Sequence, residues 1–166
     1  MNKAYKYRLF PKKCQLERLA QAVGCCRFVY NEALAYRESQ YKQGISVSKF
    51  DLIKRLPKLK KEFPWLSEAM ATSLQKVIGD LDSAYQNFFR CVKQGISANP
   101  PKFKTKKNSK QSFNLKWDNI SSQFSNYFGC IWKNEQSNWI RLGKMGWFRL
   151  EMHRDLPENG IIKSAT

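Results

Sequence analysis

Negative charge is the property this sequence has least of. It carries 13 Asp and Glu residues against 30 Lys and Arg, a formal net charge of +17. So large an excess indicates an anionic partner. With 42% hydrophobic and 14% aromatic residues the chain can still bury a core, which excludes a purely disordered basic tail. A length of 166 residues predicts one domain, or one domain with an insertion.

Long apolar runs are missing as well. No stretch approaches the roughly 18 apolar residues of a membrane span. The basic N-terminus also lacks the apolar segment of a signal peptide. We therefore predict a soluble, cytoplasmic protein without a membrane partner.

Residue patterns that are typical of metal sites or catalytic centres are equally scarce. The cysteines are odd in number and contain no C-x-x-C pair, which argues against a disulfide framework or a zinc ribbon. His153 is the only histidine, and Asp80 and Asp82 would lie about 200° apart around a helix, so they cannot share a metal ion. We predict no catalytic centre, no metal and no cofactor. We interpret all five cysteines as small buried residues: Cys14, Cys25, Cys26, Cys91 and Cys130.

The hydrophobic period predicts a strand followed by three helices. Residues 4–9 alternate as in a half-buried strand, and residues 15–43 have the period of a long helix. Ser48 and Asp51 resemble a capping box, and they open a helix that Pro57 should bend or end. We interpret residues 58–61 as its solvated continuation. A third helix begins near Ser67 or Glu68 and continues to Gly95. We interpret its apolar stripe as core.

After Pro100 and Pro101 the period becomes that of strands, at residues 112–117, 127–133, 139–142, 148–153 and 161–165. This order predicts an α+β fold, a small β-barrel formed by the first strand and the C-terminal strands and interrupted by a helical bundle. The predicted parts are residues 1–12 (start of the barrel), 13–98 (helical insert), and 99–166 (basic loop and remaining strands).

Two basic stretches are the candidate sites for chemistry. Between Ser83 and Trp117 there is no acidic residue but there are eight positive charges, and within this stretch residues 101–104 (PKFK) place an aromatic ring among lysines. That composition suits contacts to phosphates plus one stacking surface, although a solvated lysine-rich loop would have the same composition. A second basic cluster surrounds the first strand and helix, opposed by Glu17 alone: Lys3, Lys6, Arg8, Lys12, Lys13, Arg18 and Arg27.

Several short motifs occur in an order that resembles a known family. They stand at residues 5–11 (YKYRLFP), 15 (Q), 24–31 (GCCRFVYN), 64–66 (PWL), 74–75 (LQ), 80–90 (DLDSAYQNFFR), 101–104 (PKFK), 142–147 (LGKMGW), 153–157 (HRDLP) and 162–166 (IKSAT). This series resembles the N-terminal half of the TnpB (OrfB) proteins of bacterial insertion sequences, over essentially the whole chain.

The resemblance implies a function and a set of contacts. Full-length TnpB-like proteins are RNA-guided DNA endonucleases, similar to compact type V CRISPR effectors and long described as transposases with an N-terminal helix-turn-helix. Their wedge barrel and helical recognition insert hold the guide RNA and read a short target-adjacent motif on double-stranded DNA. Gln75 falls where the family has a motif-reading glutamine, and Asn114 lies near a second motif-reading strand. The predicted nucleic-acid-binding residues are Lys6, Arg8, Lys12, Lys13, Arg27, Gln75, Lys76, Lys102, Phe103, Lys104, Lys106, Lys107 and Asn114.

The family's RuvC-like nuclease lies beyond the part that this sequence resembles, so we predict that the chain is not itself an enzyme. Three functions remain open. The chain is the nucleic-acid-binding half of a TnpB-like protein, a stand-alone DNA-binding regulator, or the recognition subunit of a split nuclease whose RuvC-like half is separate. A decayed gene product is a fourth alternative.

Overall fold

The computed structural model describes residues 4–107, 112–116, 131–134, 137–142, 145–154 and 164–166. The chain divides into two compact units, residues 1–20 with 115–166, and residues 21–114. The elements in chain order are β1 (Arg8–Phe10), α1 (Lys13–Lys42), α2 (Lys49–Glu62), a 3-10 turn (Pro64–Glu68), α3 (Ala71–Lys93), β2 (Leu115–Lys116), β3 (Ile131–Asn134), β4 (Ser137–Arg141), β5 (Trp147–Glu151) and β6 (Ser164–Ala165).

The long helix α1 is continuous through Gly24, and it ends much as α3 does. Gly44 follows α1 with φ +76°, and the Ile45 N–H donates to the Gln40 carbonyl at 3.0 Å. At the end of α3, Gly95 has φ +70°. Because glycine adopts positive φ without steric cost, both helices stop where the sequence predicts.

Helix α2 confirms the predicted capping box and excludes one of the two alternatives for Pro57, that it ends the helix. The Asp51 N–H donates to Ser48 Oγ at 3.3 Å, and the Ser48 N–H donates to Asp51 Oδ2 at 3.1 Å. The helix nevertheless continues past Pro57 to Glu62. Leu52, Leu56 and Leu59 are buried on one face of α2. Burial of each leucine is worth about 1.5–3 kcal/mol, which together exceeds the roughly 3 kcal/mol cost of an internal proline.

The core of the helical unit is formed by α1, α2, the 3-10 turn and the first half of α3. Leu34, Leu66, Leu74 and Leu81 are all completely buried. The sequence predicts that the apolar stripe of α3 is core along its whole length, and that prediction is wrong for the end of the stripe, although Tyr85 still packs partly buried against the core. The α3 members of the buried cluster end at Leu81, and Phe89 and Val92 are 55% and 54% exposed. Among the residues that the structure describes, the buried core therefore ends before the apolar stripe does.

The other unit contains a four-stranded antiparallel sheet in the order β1-β5-β4-β3 and a separate β2-β6 pair. Tyr5, Tyr7 and Leu9 are half-buried while Lys6 and Arg8 are exposed, which confirms the predicted alternation. Each predicted strand region contains a strand, although β1 begins only at Arg8. The fold is α+β, and the described strands do not close into a barrel. Among the described helices, none is long and apolar enough to cross a bilayer.

Candidate nucleic-acid interface

The lysine-rich loop that follows α3 is fastened to α1 by one side chain. The Lys104 N–H donates to Asn31 Oδ1 at 2.8 Å, and Asn31 Nδ2 donates to the Lys104 carbonyl at 3.0 Å. The carboxamide therefore satisfies both backbone groups of Lys104, as a neighbouring strand would. These two hydrogen bonds fix the position of the PKFK segment on the helical unit.

The loop divides its side chains between packing and solvent. Lys104 is half-buried, and its Nζ lies 4.1 Å from the centre of the Tyr30 ring, a cation–π contact. Lys102, Lys106 and Lys107 are exposed, and Phe103 is 53% exposed. The loop thus presents three ammonium groups and one aromatic ring on a fixed backbone, whereas the ammonium group of Lys104 packs on Tyr30.

The beginning of α3 carries the two residues predicted to face DNA. Gln75 and Lys76 are both exposed, and Lys76 Nζ lies 2.9 Å from Asp80 Oδ1. Ser73, which is 2% exposed, donates from Oγ to the Asn114 carbonyl at 2.7 Å. The main chain of Asn114 is thereby held at the turn of helix that carries Gln75. The structure brings Gln75 and Asn114 to one end of α3.

The remaining predicted residues lie on α1 and around β1. Arg27 is half-buried on α1. Lys6, Arg8, Lys12 and Lys13 are exposed. Of the other cations in the two basic stretches, Lys3 and Lys110 lie outside the described residues.

Gln15 positions the basic start of α1 on the sheet. Its Oε1 accepts from the Lys12 N–H at 2.9 Å, and its Nε2 donates to the Trp147 carbonyl at 2.8 Å. One side chain therefore caps the helix and ties it to β5. Nearby, the Tyr7 hydroxyl donates to the Arg154 carbonyl at 3.1 Å and holds the chain that enters β1.

The acidic residues of α3 take part in structural pairs. Asp82 Oδ1 lies 3.2 Å from Arg37 Nη1, Gln86 Nε2 donates to Asp82 Oδ2 at 2.7 Å, and the Arg37 guanidinium lies 4.3 Å from the centre of the Tyr85 ring. Asp80 is paired with Lys76. No group of three possible metal ligands occurs in the part of the chain that the structure describes.

The cysteines differ from one another more than the sequence suggests. Cys25 and Cys26 are buried as predicted, and desolvation raises the pKa of both thiols, that of Cys26 to about 12. Cys14 is exposed and Cys91 is only partly buried, so the prediction of burial is wrong for these two. Both lie at helix positions outside the buried cluster. Cys130 lies outside the described residues.

Asn31 and Gln15 are two functional positions that the sequence alone does not identify. Both stand inside the motif series, at residues 24–31 and at position 15, yet the motifs assign neither of them a role. The one signal that could have identified them is an amide side chain on a helix beside apolar residues, since a buried amide needs a hydrogen-bond partner. The partners are distant in sequence, so spacing alone cannot name them.

Comparison with known proteins places the chain in a family. The family model for the helix-turn-helix domain of OrfB proteins matches residues 1–46. In the structure these residues contain β1 and α1. A candidate RNA-guided DNA endonuclease of Escherichia coli (strain K12), InsQ, is 29% identical over 98% of this chain and 36% of its own length. A candidate RNA-guided DNA endonuclease of Streptomyces pristinaespiralis is 33% identical over 68% of this chain and 27% of that protein's length.

A third relative is matched over nearly its whole length. The virulence protein VsdF of Salmonella dublin is 31% identical over 64% of this chain and 95% of its own length. The chain spans only about a third of the two endonuclease relatives. These matches agree with the motif series in the sequence. The chain belongs to the TnpB (OrfB) family.

Proposed function

We propose that this chain is the nucleic-acid-binding half of a TnpB-like RNA-guided protein, which holds the guide RNA scaffold and reads a target-adjacent motif on double-stranded DNA. In this proposal it has no cleavage centre of its own, acts in the cytoplasm, and its strands belong to a wedge-type barrel. The relatives named as RNA-guided endonucleases support the partner class.

The observation that carries the proposal is the loop held by Asn31. Lys102, Lys106 and Lys107 are exposed on a backbone that two hydrogen bonds fix at Lys104. A merely solvated lysine loop needs no such fixation. A surface that must match the spacing of phosphates does, because an ordered backbone reduces the entropy cost of binding.

Gln75 and Asn114 are proposed to read the motif. A glutamine amide can donate to and accept from adenine in the major groove, and Gln75 is exposed at the end of α3 to which Asn114 is tied. Lys76 beside it would contact a phosphate and set the register. On the strand unit, Lys6, Arg8, Lys12 and Lys13 would contact the RNA backbone, with Arg27 on α1.

A stand-alone DNA-binding regulator is the second candidate function. The match to VsdF over 95% of that protein's length supports only its stand-alone part, because it shows a short relative of this chain. A split nuclease, whose RuvC-like half binds this chain, shares the recognition surface with the first proposal.

Purification of the chain at moderate salt tests these alternatives. The ultraviolet absorbance ratio of nucleic acid to protein is measured before and after ribonuclease treatment, and any bound RNA is sequenced. One discrete RNA species is expected. Protein free of RNA that binds a specific DNA duplex would favour the regulator, and protein that binds neither RNA nor DNA would refute the proposal.

A further inference from the structure

One face of the four-stranded sheet combines aromatic rings and arginines in solvent. Residues paired across an antiparallel ladder point to the same face. Phe10 pairs with Arg149, Arg149 with Trp139, and Arg141 with Trp147. The alternating residues Phe148, Leu150 and Ile140 are buried on the opposite face. The outer face therefore carries Arg8, Phe10, Trp139, Arg141, Trp147, Arg149 and Glu151.

The aromatic side chains of this face are accessible. Phe10 is 46% exposed and Trp147 is 39% exposed, while Trp139 is half-buried. Phe10 and Trp147 occupy diagonal positions on neighbouring strands, a relationship that separates side chains by roughly 7–8 Å. The guanidinium of Arg149 lies 5.8 Å from the centre of the Phe10 ring. Two rings and one planar cation thus stand side by side.

The charges on the face select an anionic ligand. Arg8, Arg141 and Arg149 are exposed, and Glu151 is the one carboxylate among the paired positions of this face that the structure describes. A membrane surface would require a continuous apolar patch, but here the rings are interleaved with arginines. Rings for bases and guanidinium groups for phosphates form the combination that binds unpaired nucleotides.

We propose that this sheet face is a stacking platform for unpaired nucleotides of an RNA, with bases on Phe10 and Trp147 and phosphates on Arg8, Arg141 and Arg149. The inference rests on the proposed function, since it assigns part of the bound RNA to a place on the chain. It adds that the sheet face binds single-stranded RNA through its bases, whereas the lysine loop binds phosphates. A duplex has its bases stacked within the helix and cannot use the rings.

The test compares two double variants of the full chain. Phe10→Ala with Trp147→Ala removes both rings, whereas Phe10→Tyr with Trp147→Phe keeps an aromatic ring at each position. Tyr41→Ala with Phe50→Ala is the control, because these residues are 79% and 66% exposed on the helical unit. The bond from Gln15 reaches the main chain of Trp147 and does not depend on its side chain. Circular dichroism and the melting temperature confirm that each variant is folded.

Binding is measured by fluorescence anisotropy with a labelled oligouridylate of roughly 12 nucleotides, a DNA strand of the same length, and an RNA duplex. Loss of the rings is expected to weaken binding of the oligouridylate at least about tenfold. The variant that keeps the rings and the control should bind it like the parent chain. The slope of log affinity against log salt concentration should stay the same, because every cation of the face is still present.

Four results would overturn the proposal: unchanged binding of the oligouridylate, an equal loss for the RNA duplex, a larger loss for the DNA strand than for the oligouridylate, or an equal loss in the control. If the parent chain binds none of the three probes and carries no RNA from the cell, the proposed function itself fails. If the parent chain binds RNA and the loss of the rings has no effect, this inference alone fails.

Discussion

Asn31 on α1 and Lys104 in the loop after α3 are joined by two hydrogen bonds, 2.8 and 3.0 Å long, although 73 residues separate them. The carboxamide pairs with the N–H and the carbonyl of the same residue. Because partners so far apart in sequence meet only in the folded chain, removal of the amide should affect both the stability of the fold and the order of the loop.

Asn31→Ala should destabilise the chain and release the loop. The two hydrogen bonds are lost and the backbone N–H and carbonyl of Lys104 are left without their partner. This should lower the free energy of unfolding by about 1–3 kcal/mol. Urea unfolding measures the cost, and hydrogen exchange at the Lys104 amide should accelerate. Asn87→Ala, an exposed amide on α3, is the matched control and should change neither quantity. Unchanged exchange at Lys104 would contradict the fastening role.

Charge reversal in the basic loop should weaken nucleic-acid binding without unfolding the chain. The variant is Lys102→Glu, Lys106→Glu and Lys107→Glu. Lys104 is left intact because its Nζ packs on Tyr30. The slope of log affinity against log salt for a DNA duplex should become shallower by about 0.9 for each phosphate that the loop no longer neutralises.

The control for this variant has the same change of charge at another surface. Lys54, Lys58 and Lys61 are exposed on α2, and their replacement by glutamate should reduce the affinity only through the net charge, with little change in the salt slope. Equal effects of the two triple variants on affinity and slope would remove the loop from the interface.

Gln75→Ala should reduce discrimination between duplexes more than overall affinity. A bidentate bond to adenine is worth about 1–3 kcal/mol against the wrong base. Binding to a duplex library, selected with the parent chain and with the variant, measures the change in preferred sequence. Lys76→Ala should instead weaken binding to all duplexes alike. An unaltered sequence preference in Gln75→Ala would exclude Gln75 as a reader.

Leu81→Ala and Phe88→Ala compare the two halves of the apolar stripe of α3. Leu81 is completely buried, so its truncation should lower the free energy of unfolding by about 2–5 kcal/mol. Phe88 is only half-buried, beyond the part of α3 in the core cluster, so its truncation should cost clearly less. Urea denaturation compares the two directly. Equal costs would show that the second half of α3 is core after all.

The buried thiols predict a loss of stability at alkaline pH. Burial raises the pKa of Cys26 from 9.0 to about 12. Between these values the unfolded chain releases the thiol proton and the folded chain keeps it, so the folded state binds more protons and its stability falls as pH rises. Well below pH 9 the thiol is protonated in both states, so it no longer makes the stability depend on pH.

Cys26→Ala tests that pH dependence. The free energy of unfolding, measured at several pH values between 9 and 12, should fall less steeply in the variant, by up to about 1.4 kcal/mol per pH unit. Cys14→Ala is the control, because Cys14 is exposed. In native protein, iodoacetamide should modify Cys14 and leave Cys26 unreacted. Parallel pH curves for Cys26→Ala and the parent chain would contradict the assignment.

Much of the fold could be predicted because its signals are local. The capping box of Ser48 and Asp51 and the glycines that end α1 and α3 act through neighbouring backbone groups, so each position is visible in a short window. The alternative that Pro57 ends α2 is wrong because its cost is local whereas the burial that outweighs it is tertiary. The prediction for Phe89 and Val92 is wrong for the same reason, since an apolar stripe does not reveal how far its partners extend.

For the candidate site, too, some features are visible in the sequence and others depend on the fold. Charge, the motif series and the family were determined by the sequence itself, because they depend only on which residues are present and in what order. Only the tertiary structure decided that Asn31 holds Lys104, that Gln15 ties α1 to β5, and that Phe10 stands beside Arg149 on an open sheet face. Each of these contacts joins residues more than seventy positions apart. No period or spacing in the sequence encodes such a distance, because it is set by how the helices and strands pack.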